Sequence, residues 1–89
     1  MTVHEQLVTI LVDVLGADVD AVTMTASLWH DLGAQRVDVI EIAVKLEDTL
    51  EVEISDADID VLSQGTVGDA LAYLEAQLAA VTPPEARRG

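Results

Sequence analysis

Residues 31–50 read DLGAQRVDVIEIAVKLEDTL, and the periodicity of this stretch decides which fold the chain can adopt. From Arg36 to Leu50 apolar residues recur at three- and four-residue intervals without proline or glycine, which predicts a helix over 36–50. Val39, Ile42, Ala43, Leu46 and Leu50 share one arc, wide enough to dock the helix on a core. Val37, Ile40 and Val44 make a second arc, interleaved with Glu41, Glu47, Asp48 and Glu51. Either both arcs are core and the acids are a solvated face, or the second arc is a docking strip. Such a strip, a few apolar contacts ringed by carboxylates, suits a basic partner.

The flanking segments supply the rest of a bundle. Thr2-Val-His-Glu5 has the spacing of a capping box and opens a helix near Val3. That helix carries Val3, Leu7, Ile10, Leu11 and Val14 on one face and stops at Gly16. Residues 17–34 carry Gly, Thr, Ser and Asp at irregular spacing and read as a long structured loop, a kind that is commonly functional. A short helix is expected over Ser55–Leu62, capped by Ser55, and Ser63-Gln64-Gly65 breaks the chain. Thr66-Val-Gly-Asp69 opens a last helix with Val67, Leu71, Leu74 and Leu78 on one side. Pro83-Pro84 end it. The expectation is all-α: a small four-helix bundle of three longer helices and one short one, with a long loop between the first two. Its domain spans residues 1–81, and residues 82–89 form a disordered tail.

Charge narrows the function. Seventeen acids against four bases give a net charge of −13, so a nucleic acid would be repelled. Aromatic residues are 2% of the chain, too few for base-stacking platforms. Hydrophobic residues at 51% separate it from disordered chains of similar charge. Asp13 interrupts the longest apolar stretch, and no basic segment precedes an apolar one at the N-terminus. The expectation is a cytoplasmic protein that is monomeric by itself and does not enter a membrane.

No catalytic set stands out, and no enzyme activity is expected. Asp56, Asp58 and Asp60 imitate the start of a calcium loop, but Val61 and Val67 occupy the positions that need glycine and a bidentate glutamate. His4 and His30 lack ligand spacing, and the absence of cysteine excludes thiolate chemistry. Trp29 is expected to pack onto the bundle, with partner contact as the alternative.

With Leu28 before Asp31-Leu-Gly33, the acidic helix through Glu47-Asp48, Val52-Glu-Ile54 and Thr66-Val67 in this order, the chain resembles the acyl carrier proteins. The resemblance runs from residue 2 to about residue 80. It implies a four-helix bundle that carries acyl groups on a phosphopantetheine arm. In that family the arm is joined to a serine within an Asp-Ser-Leu triplet directly after Gly-Ala. Here the triplet is Gln35-Arg36-Val37, which places Arg36 at the attachment position. A guanidinium accepts no phosphopantetheinyl group, so no cofactor is expected. Ser27-Leu28 is the nearest Ser-Leu pair, but it precedes the Asp-Leu-Gly loop with no helix start behind it.

Nor does local helix chemistry favour Arg36. A cation at a helix N-terminus opposes the macrodipole, a capping side chain is forgone, and i+3 and i+4 are Val39 and Ile40. Asp31 is the one acid in view as its partner. The resemblance implies a pseudo-carrier: a non-covalent partner for the basic surface of a synthase-type or acyl-transferring enzyme of fatty-acid or polyketide synthesis. Its contacts would be Arg36, Val37, Ile40, Glu41, Val44, Glu47 and Asp48. The alternatives are a genuine carrier, natural or engineered at this position, and an unrelated helical adaptor.

Overall fold

The computed structural model describes residues 2–80. Within them the chain forms α1 (Val3–Leu15), a 3-10 turn (Val19–Ala21), α2 (Arg36–Leu50), α3 (Asp56–Ser63) and α4 (Val67–Ala80), with no strand. This is the small all-α bundle that the periodicity predicts. The proposed tail, residues 82–89, lies outside the described residues.

Each helix begins where a local donor–acceptor exchange relieves its unpaired amides. At α1, Glu5 N–H donates to Thr2 Oγ1 at 3.1 Å while Thr2 N–H donates to Glu5 Oε1 at 3.0 Å. That backbone donation, with the Thr2 hydroxyl second, holds the Glu5 carboxyl below the usual glutamate range. Ser55 Oγ accepts from Asp58 N–H at α3, and Thr66 and Asp69 cap one another at α4. Gly16 ends α1 with φ of 65°, the left-handed region where a residue without Cβ is at ease. The end of α2 is different: Glu51 takes φ of 56° although it carries a side chain.

Leu7, Leu11, Val67 and Leu74 are the most deeply buried of the large side chains, and Val39, Ile42, Ala43 and Leu46 bring the predicted arc of α2 onto them. Val3 and Val14 reach this core only in part. Packing leaves about 20 Å3 at its centre, lined wholly by apolar side chains from all four helices and from Leu28. That is room for about one water molecule, which such a lining would not hold.

The segment between α1 and α2 is fastened to the start of α4. Gly68 N–H donates to Met24 O at 2.8 Å, Val67 N–H to Ala26 O at 2.9 Å, and Leu28 N–H to Gly65 O at 3.1 Å. Ser27 and Thr66 form an isolated antiparallel bridge. Ala34 N–H then donates back to Leu28 O at 2.7 Å, and Gly33 turns the chain with φ of 67°. The chain therefore enters α2 at a fixed place and angle.

Candidate functional site

At that fixed point stands the N-cap of α2, which is Gln35 rather than Arg36. Gln35 is extended, and its N–H donates to Asp38 Oδ2 at 3.0 Å. Arg36 is the first helical residue, so the capping position that the sequence reading assigns to it belongs to its neighbour. The expected Asp31 partner also gives way. Asp31 Oδ2 accepts Ser27 N–H at 2.7 Å within the loop, and the Arg36 guanidinium pairs with Asp60 of α3. Sequence reasoning missed Asp60 because nothing local links positions on different helices.

The second arc of α2 faces outward. Val37 is 65% exposed, Val44 57% and Ile40 40%, with Glu41 and Asp48 exposed among them. Glu47 behaves differently from these two acids. It is half-buried, and its Oε2 accepts Ile54 N–H at 3.0 Å, tying the end of α2 to the segment before α3. Val61, which the sequence reading weighed only as a calcium-loop position, is 71% exposed on α3, one residue beyond Asp60. Its signal was available, since Ile59 and Leu62 are the buried positions of α3 and Val61 falls between them. Trp29 corrects the packing expectation: it is 56% exposed, beside His30, Ser63 and Gln64 at a shallow concavity.

One further acid of α3, Asp58, is engaged internally, as is the backbone carbonyl of Glu53. Tyr73 Oη donates to Asp58 Oδ2 at 2.6 Å, and Gln77 Nε2 donates both to Tyr73 Oη and to Glu53 O. Burial first, and this bond to a carboxylate second, push the Tyr73 hydroxyl above its ordinary pKa. An acidic cleft of about 780 Å3 opens beside this network, lined by Glu47, Glu51, Glu53 and Asp58.

The start of α2 does not fit an attached phosphopantetheine, which needs a hydroxyl: Ala34, Gln35, Arg36 and Val37 have none. The hydroxyl of Ser27 lies in the earlier loop, where it accepts His30 N–H at 3.0 Å.

Among the described residues no helix is long and apolar enough to cross a membrane. Residues 5–74 match the family described as the phosphopantetheine attachment site, a span from the first turn of α1 into α4. Domains of this family are of the carrier type, are generally not catalytic, and typically interact with synthase-type enzymes. A match over this much of the chain, on a bundle of four helices with a fastened first loop, makes it a member of the phosphopantetheine attachment site family, with the architecture of an acyl carrier protein.

Proposed function

We propose that this chain is a pseudo-carrier: a carrier-type domain that docks on a synthase-type or acyl-transferring enzyme of fatty-acid or polyketide synthesis without bearing an arm. The observation that carries this reading is Arg36 at the first position of α2, paired with Asp60, with no hydroxyl from Ala34 to Val37. Docking runs through Val37, Ile40 and Val44, with Glu41 and Asp48 steering a basic surface toward them. Arg36 and Glu47 border this strip, one satisfied by Asp60 and the other by Ile54. A basic partner thus meets a neutralised pair at Arg36 rather than a lone cation. The domain acts as a monomer in the cytoplasm.

The family match itself supports a second reading, a genuine carrier whose arm sits elsewhere or whose attachment residue has been replaced. Incubation with coenzyme A and a broad-specificity phosphopantetheinyl transferase, followed by intact-mass measurement, separates the two. The pseudo-carrier keeps its mass. A gain equal to the arm overturns the proposal, and mapping it to Ser27 would identify the displaced site.

A further inference from the structure

The helix α3 is the shortest of the bundle and buries the fewest side chains. It has eight residues, buries only Ile59 and Leu62, and packs chiefly on α2. Two of its three acidic residues, however, are tied in two directions. Asp58 accepts from Tyr73 of α4, and Asp60 pairs with Arg36 of α2. Two residues apart on a helix, these side chains leave its axis about 200° apart, with Ile59 between them directed into the core. We infer that Arg36–Asp60 and Tyr73–Asp58 form a two-sided clamp that fixes the rotation of α3 about its own axis. The clamp keeps Ile59 and Leu62 inward and Val61 outward.

This inference stands apart from the docking proposal, because it assigns Arg36 a role within the molecule whatever binds outside. It also gives a physical reason for the Asp58 and Asp60 alternation, which is a poor calcium loop. Arg36 is 57% and Asp60 51% exposed, so the pair is modest in strength. A modest tie suffices for a short helix, since local opening of α3 need not unfold the whole bundle.

Native-state amide hydrogen exchange on the whole chain tests the clamp, with Arg36→Ala, Asp60→Ala, the double variant and the swapped pair Arg36→Asp/Asp60→Arg. Each single variant is expected to speed exchange of the Ile59 to Ser63 amides about twofold to fivefold, the range set by an exposed pair. The double variant should be no faster than the singles, and the swap should recover part of the protection. Exchange in α1 and α4 should stay unchanged. Unaltered α3 exchange in the singles overturns the clamp, as does additivity in the double variant. A uniform change across all four helices overturns it too, by showing a general stability effect.

Discussion

Gly68 and Met24 approach so closely that a Cβ on residue 68 would lie 2.9 Å from the Met24 carbonyl oxygen, the same oxygen that Gly68 N–H bonds at 2.8 Å. The contact partner is backbone, which cannot swing aside. Gly68→Ala is therefore expected to destabilise the fold by about 1–3 kcal/mol, the range for overpacking a tight contact. Thermal unfolding measures it. A variant as stable as the parent would mean that the loop is free to retreat from α4.

Glu47 and Glu41 should part company under mutation. Glu47 holds Ile54 N–H, so Glu47→Ala should cost about 1–2 kcal/mol of stability. Glu41 is exposed and has no such bond among the described residues, so Glu41→Ala should stay within about 0.5 kcal/mol of the parent. Denaturant titration of both variants decides the matter. Equal midpoints would remove the structural role of Glu47.

Alkaline pH should weaken the link between α3 and α4. Tyr73 has a raised pKa in the folded chain, so its protonated form is favoured by folding. Its contribution is fully present below the ordinary tyrosine value of about 10 and is lost as pH climbs through the folded value. Above the ordinary tyrosine value of about 10, the stability of the parent should fall more steeply than that of Tyr73→Phe, which has no proton to lose there. Parallel slopes would exclude this contribution.

Restoring an attachment triplet tests the site from the other side. Gln35→Asp, Arg36→Ser and Val37→Leu together should yield a domain that a phosphopantetheinyl transferase modifies. Its stability should change little. Aspartate at the N-cap adds about 1 kcal/mol, and loss of the Arg36–Asp60 pair removes about 0.2–1 kcal/mol. A folded triple variant that gains no mass would show that the loop before α2 no longer suits a transferase.

The exposed strip of α2 should divide its effects between the two binding rates. Against an immobilised carrier-binding synthase component with a basic face, Glu41→Lys and Asp48→Lys should slow association and flatten its salt dependence. Val44→Asp should instead speed dissociation, because it places an unpaired charge in the desolvated centre. If Val44→Asp leaves dissociation unchanged, α2 is not the docking face.

The parts legible in the sequence are those set by neighbours along the chain. The caps at Thr2, Ser55 and Thr66 each close over three residues, so residue type and spacing suffice to find them. The buried arc of α2 is legible for the same reason, through its period. The surroundings of Arg36, Glu47 and Trp29 are less legible. The partner of Arg36 lies on another helix, and the bond of Glu47 depends on how the chain turns between α2 and α3. Trp29 sits in an aperiodic loop, where no repeat tells inside from outside. The N-cap slipped by one residue because Asp38, an acceptor from within the helix, serves Gln35 from the far side.

The fastening of residues 24–28 to residues 65–68 also sets an order of assembly. As the chain emerges during synthesis, α1 and α2 are complete long before Gly65, Val67 and Gly68 appear to bond Leu28, Ala26 and Met24. Until then the loop lacks these three bonds to the start of α4 and is held only by those within itself. Contacts so distant in sequence carry a loop-closure cost that local contacts do not, and folds rich in them fold more slowly. A nascent chain that stops short of α4 would hence display the helix bearing Arg36 without the alignment that a partner could recognise, and recognition would wait for α4 to begin.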